Sequence, residues 1–243
     1  MDRPFVVLAI DALEYELVER FGCKNLKQEN YNKTDISEFS QPRTMVLWSS
    51  FLTGENKEAD ILAKGDKEMW NTKIETKDTF LSGFSNPKVI DLPGYSYDKK
   101  QHDEERRLLK AFFDTDDPEK KDKIMKEYNK KSFDHHKQVK DEFMKSLEGC
   151  HDLVIGYFSM ADVVGHLNFG NTAMMRMIYE ELDELAGKLR SMGFSLLILS
   201  DHGMMSVGKF GDHSNYGFWS TNFDVENRNY RITDFGTIIT NNK

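Results

Sequence analysis

Cysteine is nearly absent. Cys23 and Cys150 are the only two in 243 residues, and they form no C-x-x-C. That excludes a disulfide framework and a thiolate metal site as organising devices. Long apolar runs are also missing. None approaches the length of a membrane span, and the first, residues 5–10, is too short for the core of a signal peptide and ends at Asp11. These features point to a protein of the reducing cytoplasm with no membrane partner. Positive charge is in deficit: 33 Lys and Arg face 41 Asp and Glu, a net charge of −8. A stable nucleic-acid binder needs a basic face. The acidic balance suits a protein that gathers carboxylates around divalent cations. Internal repeats and low-complexity linkers are missing too, so residues 1–243 read as a single domain.

What is present is a folded globular composition, 39% hydrophobic and 12% aromatic. Short apolar runs at 5–10, 88–92, 151–160 and 194–199 read as strands, three of them as fully buried ones. Helical spacing lies between them. Leu13, Leu17 and Phe21 recur by four and stop at Gly22, residues 44–53 stop at Gly54, and 172–192 carries Met174, Met177, Ile178, Leu182, Leu185 and Leu189 on one side. Residues 24–40 read as a polar loop and 59–84 as helical in part. The tail after Ser220 is polar apart from an element near 235–239. From about 98 to 149 charge is dense and balanced in sign, with Leu109, Phe112 and Phe113, then Val139, Phe143 and Leu147, at helical spacing. This predicts two or more amphipathic helices with solvated outer faces, His102, His135 and His136 lying among the solvated charges. Such an excursion can be a cap over a site or an outer layer. The fold class is α/β, a mostly parallel central sheet with helices on both faces.

The chemistry-bearing residues fall where strands stop. Asp11 follows the first strand, and Asp162 and His166 stand at i and i+4 after the third long one. Asp201 and His202 follow the fourth, with His213 eleven residues on in a Gly- and Asn-containing loop. Open α/β sheets bind ligands at this edge. Carboxylates mixed with imidazoles suit Zn²⁺, Mn²⁺ or Fe better than alkaline-earth ions. Each also has an ordinary reading: Asp11 as a helix N-cap, the histidines as polar turn residues, and Thr44 as the cap of the helix that follows it. Thr44 at a helix start can equally serve as an alkoxide nucleophile beside backbone N–H groups that favour phosphate.

Taken together, Asp11, Thr44 nine residues before Thr53-Gly54, DVVGH at 162–166, SDHGM at 200–204 and HSNYGF at 213–218 resemble the alkaline phosphatase superfamily. The closest branch is the type I phosphodiesterase/nucleotide pyrophosphatase family, including its short prokaryotic members. The blocks span nearly the whole chain in the family's order. One departure is Val46-Leu47 in place of the family's Pro-Asn after the nucleophile. The resemblance implies an alkaline-phosphatase-like fold and two divalent metal ions, Zn²⁺ foremost with Mn or Fe as alternatives. Asp11, Asp201 and His202 would hold one ion, and Asp162, His166 and His213 the other. Thr44 would bridge the two as nucleophile, giving a phosphothreonine intermediate. The expected activity is hydrolysis of phosphodiester or nucleotide pyrophosphate bonds in a small phosphate ester or nucleotide. A phosphomonoesterase or a phosphoglycerate-mutase-like phosphotransferase using the same residues is the alternative, and a binding protein without catalysis is a third reading. Arg43 and Tyr216 are candidate substrate-binding residues. Arg43, the only arginine within a motif, is expected to point away from the phosphate. That would favour diesters over the more highly charged monoesters.

Overall fold

The structure is a computed structural model that describes residues 3–226 and 228–243. In chain order the strands are β1 (Phe5–Ile10), β2 (Asn30–Asp35), β3 (Pro87–Ile90), β4 (Leu153–Phe158), β5 (Leu196–Leu199), β6 (Met204–Val207), β7 (Phe210–His213) and β8 (Tyr216–Thr221). Six of them form one sheet in the order β2-β8-β5-β1-β4-β3, and β6 pairs with β7 as a separate hairpin. Within the sheet β5, β1, β4 and β3 are mutually parallel. β8 runs against β5, and β2 runs against β8. The sheet is therefore mostly parallel, with β8 the one reversed strand. The strand read at 88–92 begins at Pro87 and ends at Ile90, which puts Asp91 immediately beyond it.

The helices are α1 (Tyr15–Phe21), α2 (Lys24–Lys27), α3 (Thr44–Thr53), α4 (Glu58–Leu62), α5 (Gly65–Glu68), α6 (Lys99–Asp114), α7 (Pro118–Ser146), α8 (Met160–Asn168), α9 (Thr172–Ser191) and α10 (Phe235–Asn241). Gly22 and Gly54 end α1 and α3 in the left-handed conformation, at φ 69° and 71°, where a glycine pays no steric penalty.

Alternation along β1 divides the interior in two. Val6, Leu8 and Ile10 face one layer with Val139 and Phe143 of α7 and Ile178 and Leu182 of α9. Phe5, Val7 and Ala9 face the other, packed against Met45, Trp48 and Phe51 of α3 and Phe235 and Ile239 of α10. Successive strand side chains point to opposite faces, so a strand covered by helices on both sides must be apolar at every position. All six residues of β1 are buried, as are all six of β4.

Two expectations change. Residues 24–40 are not wholly loop, since they contain α2 and the edge strand β2. The strand carries little apolar signal because it is held by backbone pairing to β8. His102, His135 and His136 are not on solvated faces; they are 4%, 6% and 7% exposed. They sit on the inward stripes of α6 and α7, beside Leu108 and Phe112 on one helix and Val139 and Phe143 on the other. Among the described residues no helix is long and apolar enough to cross a membrane.

Candidate active site and metal centre

Ends of parallel strands aim the candidate residues at one edge of the sheet. Asp11 leaves β1, the turn Ser200-Asp201-His202 leaves β5, and Ser159 at the end of β4 leads into α8, whose first turns carry Asp162 and His166. The β6–β7 hairpin folds back over this edge and delivers His213 at its end.

Two three-residue clusters result, Asp11–Asp201–His202 and Asp162–His166–His213. In the first, His202 Nε2 is 3.3 Å from Asp11 Oδ1 and 3.4 Å from Asp201 Oδ2. In the second, Asp162 Oδ1 is 3.3 Å from His166 Nε2 and 3.5 Å from His213 Nε2. The clusters adjoin, because the rings of His202 and His213 stack with centroids 3.8 Å apart.

The imidazole tautomers follow from the partners of Nδ1. His166 Nδ1 faces the carbonyl of Gly211 at 3.1 Å, His202 Nδ1 that of Gly203 at 3.0 Å, and His213 Nδ1 that of Pro42 at 2.9 Å. A carbonyl only accepts, so each Nδ1 carries the proton and donates it. In the neutral form of each ring the Nε2 lone pair then faces carboxylate oxygens, which cannot donate to it. This is the arrangement of metal-ligating histidines, oriented through the other nitrogen. Asp11 Oδ1, Asp162 Oδ1, both carboxylate oxygens of Asp201 and His202 Nε2 are buried without a hydrogen-bond partner. Donors 2.0–2.1 Å from a tetrahedral ion lie about 3.3 Å apart, which is the spacing found here. The residues therefore fit divalent transition-metal ions.

The electrostatics agree. Burial, then Asp201 and Asp162, push the Asp11 carboxyl well up, and burial and Asp162 do the same to Asp201. Burial also pushes Asp162 up, but His166 and His213 override it and hold that carboxyl well below the usual range. Burial, reinforced by His213, lowers His202 to about 3. For His166 burial works downward and Asp162 overrides it, raising the imidazole to about 9. Three carboxylates gathered in a dry pocket cannot all ionise without added positive charge.

Thr44 lines the same cavity as Asp11, Asp162, His166 and His213. It is the first residue of α3, not the cap. Arg43 holds the cap position, and the helix start has no side-chain cap. The first-turn N–H groups of α3 are thus left without a capping side chain. Arg43 reaches Asp66 at 2.5 Å, and Tyr216 donates its hydroxyl to Glu14 at 2.6 Å. Neither lines the cavity. A different arginine does: Arg106 of α6, whose guanidinium lies 4.0 Å over the Trp70 ring and bonds the Tyr97 hydroxyl at 2.9 Å.

Sequence reasoning missed the residues that brace the site. Tyr157, on β4 beside β1, donates its hydroxyl to Asp11 Oδ2. Ser200 Oγ accepts from the backbone N–H of Leu13 at 2.9 Å and donates to the His202 carbonyl at 2.6 Å. Glu14 caps α1 and accepts from the Met204 N–H at 2.9 Å. Together they tie the end of β1 to the Asp201-His202 turn. Each is a common residue type whose partner lies far along the chain, and no local pattern marks it.

The family model described as Type I phosphodiesterase / nucleotide pyrophosphatase matches residues 5–233. No curated protein matches the chain. Among solved structures, murine ectonucleotide pyrophosphatase / phosphodiesterase 5 is 13% identical with a TM-score of 0.44, covering 85% of this chain and 59% of its own. The same murine protein as an inactive Thr-to-Ala variant in complex with AMP gives 13%, a TM-score of 0.43, and coverage of 86% and 59%. The chain thus spans about three fifths of those relatives' length. TAB5 alkaline phosphatase, as a mutant with Mg bound in the M3 site, is 12% identical with a TM-score of 0.52, covering 99% of this chain and 98% of its own. That likeness establishes an alkaline-phosphatase-like fold.

Proposed function

The chain belongs to the type I phosphodiesterase/nucleotide pyrophosphatase family, and from that premise we propose that it hydrolyses phosphodiester or nucleotide pyrophosphate bonds at the cavity beside Thr44. One observation carries the reading. Two clusters holding orphaned carboxylate and imidazole atoms adjoin a cavity lined by Thr44 together with Asp11, Asp162, His166 and His213.

Asp11, Asp201 and His202 would hold one divalent ion and Asp162, His166 and His213 a second, with zinc best suited to this donor set and Mn or Fe as alternatives. Bound there, such ions supply Lewis acidity that favours an alkoxide at Thr44 and offsets charge on the phosphoryl oxygens. The chain's own residues do the rest. The start of α3 presents backbone N–H groups to the phosphoryl group, and its dipole favours an anion there. Thr44 Oγ1 attacks phosphorus, forming the Oγ1–P bond as the bond to the leaving oxygen breaks. The leaving oxygen takes up a proton, and threonine is left as a phosphodiester that keeps the substrate's other ester group. Water then attacks its phosphorus, breaking the Oγ1–P bond, releasing the phosphate monoester and restoring the hydroxyl. The carbonyls of Pro42, Gly203 and Gly211 keep three imidazoles in one tautomer and orientation throughout.

The AMP bound to the murine relative suggests a nucleotide-sized substrate. Trp70, Tyr97, Leu109, Tyr128 and Val163 give the cavity an aromatic and aliphatic wall suited to a flat leaving group or base. The turn of Arg43 toward Asp66 supports a preference for diesters. One observation favours the phosphomonoesterase alternative: Arg106 places a guanidinium in the wall, where it could face the extra charge of a monoester dianion.

Turnover of bis(p-nitrophenyl) phosphate by zinc-loaded protein tests the proposal. Thr44→Ala should lower kcat by about a thousandfold or more while still binding metal, and Thr44→Ser should retain substantial turnover. Near-normal turnover by the alanine variant would remove Thr44 as nucleophile.

A further inference from the structure

A third group of imidazoles converges on a carboxylate outside the two clusters. Asp91 leaves β3 in the left-handed conformation, at φ 57°. Its Oδ1 accepts the backbone N–H of Asp98 at 2.6 Å, which turns Oδ2 toward α6 and α7. Two imidazoles reach that one oxygen through Nε2, His102 at 2.9 Å and His135 at 3.1 Å. Both rings turn Nδ1 to the same second carboxylate, Glu105, at 3.1 Å from His102 and 3.8 Å from His135. All four side chains are buried.

We propose that Asp91, His102 and His135 hold a third divalent transition-metal ion, with the Glu105 carboxylate facing Nδ1 of His102 at 3.1 Å. As in the two clusters at the sheet edge, Nε2 turns inward toward a carboxylate, with His102 Nε2 hydrogen-bonded to Asp91 Oδ2 at 2.9 Å, and Nδ1 of His102 turns toward an acceptor. Here the acceptor is a carboxylate rather than a carbonyl, a common partner of metal-bound histidine. The spacing allows it as well: one ligand atom from each of the three residues lies within 4.8 Å of the other two. So does charge. Asp91 and Glu105 bring two negative charges into a dry interior, and one divalent ion with two neutral imidazoles balances them. Without an ion the same balance needs added protons, and two imidazolium rings would lie with centroids 4.9 Å apart, where they repel each other. Two imidazoles and one carboxylate suit zinc, manganese or ferrous iron.

The three donors come from the end of β3, from α6 and from α7, so one ion would pin both long helices of the charged excursion to the sheet. His102 lines the catalytic cavity, its ring stacked on Tyr97 at 4.2 Å between centroids and 8° between planes. Arg106 lies one turn further along α6. The ion would thereby fix the cavity wall that carries Arg106, without itself facing the phosphoryl group. Occupancy of this site does not depend on the proposed reaction.

Anomalous diffraction from crystals of the zinc-loaded protein, collected above and below the zinc edge, tests the inference directly. A peak enclosed by Asp91, His102 and His135 is expected. Its absence while the other two clusters are filled overturns the site. A peak there with none at the other two sustains the site and removes the two-metal reading instead. Metal analysis after reloading gives the second measurement. His135→Gln, which keeps size and polarity, should lose one zinc equivalent relative to wild type. Equal zinc content in the two folded proteins overturns the assignment.

Discussion

Tyr157→Phe is the sharpest single probe of the two-cluster edge. Tyr157 is 1% exposed and sits on β4, whose register with β1 places it opposite Ala9, two residues before Asp11. Its hydroxyl donates to Asp11 Oδ2. Burial, Asp201 and Asp162 push the Asp11 carboxyl up, and the Tyr157 hydrogen bond pulls it back toward the ionised form. A hydrogen bond to a charged group contributes about 1.5–3 kcal/mol, which is about 10–100-fold in an equilibrium constant. Changes to residues that orient metal ligands fall in the same range. Zinc affinity at the Asp11–Asp201–His202 cluster should therefore drop by about 10–100-fold, leaving Asp162–His166–His213 near its wild-type value. The pH dependence has a definite sign. Without the hydroxyl the Asp11 carboxyl rises further, so protons compete better with the metal, and the deficit should be larger at low pH than at high pH. Because the carboxyl without metal is already biased toward its neutral form, the melting temperature of the stripped protein should move little. Competition against a fluorescent zinc chelator across a pH series provides the readout. A change under about twofold, an equal loss at both clusters, or a deficit flat with pH would refute the reasoning.

Three further expectations are independent of it. Arg106→Met should depress kcat/KM for a nitrophenyl monoester more than for the matching diester, whereas Arg43→Ala should alter neither much; the reverse ranking would return Arg43 to the substrate. Loading the second cluster at pH 8 should expel a proton, because His166 rises to about 9 in the metal-free site and must become neutral to coordinate. Affinity should therefore climb with pH up to about 9 and then level, with a calorimetric heat that scales with the ionisation enthalpy of the buffer. Gly203→Ala would drive a methyl into Glu14 Oε2 and, at 2.7 Å, Ser214 Oγ. Overpacking of that kind costs about 1–3 kcal/mol, readable as a lower denaturation midpoint with the slope unchanged.

The strands that carry the site could be read because they are buried on both faces. β1, β4 and β5 are unbroken apolar runs, and each is followed by the residues it delivers. β2, with the sequence Asn-Tyr-Asn-Lys-Thr-Asp, could not be read in the same way, since what fixes it is backbone pairing with β8. The β6–β7 hairpin was hidden for a related reason. Met205, Ser206 and Val207 are exposed, so β6 lacks the alternation of a half-buried strand, and only the hairpin's end, His213, was visible as chemistry. In the charged excursion the misreading was about phase. His102, Glu105, Leu108 and Phe112 share one face of α6, and Tyr128, Ser132, His135, Val139 and Phe143 share one face of α7. The polar members lie on the apolar stripe, not across the helix from it. That placement is a signal a helical wheel carries, although dense flanking charge masks it. Asp91 had a signal as well, because it ends a Val-Ile strand as Asp11 ends a longer one.

The order of strands shows why these groups collect together. β5, β1, β4 and β3 are adjacent and parallel, and they deliver Asp201, Asp11, the turn leading to Asp162, and Asp91 to one edge. Neighbouring strands are about 4.8 Å apart, so the row spans only about 14 Å. Four carboxylates so placed, with Asp11 and Asp201 already driven toward protonation, repel one another unless positive charge is interleaved. None of the four strands supplies a lysine or arginine at its end. What meets the row comes from elsewhere: His202 from the turn after β5, His166 from α8, His213 from the hairpin, and His102 and His135 from α6 and α7. His166, pushed down by burial but raised by Asp162 to about 9, offsets part of the charge as an imidazolium; in neutral form the imidazoles would instead complete the donor sets of the proposed ions. The sheet contributes the anions in a fixed row and the surrounding elements contribute the nitrogen donors, so under the proposed metal sites the packing of α6, α7, α8 and the hairpin onto this edge would be coupled to its loading with metal.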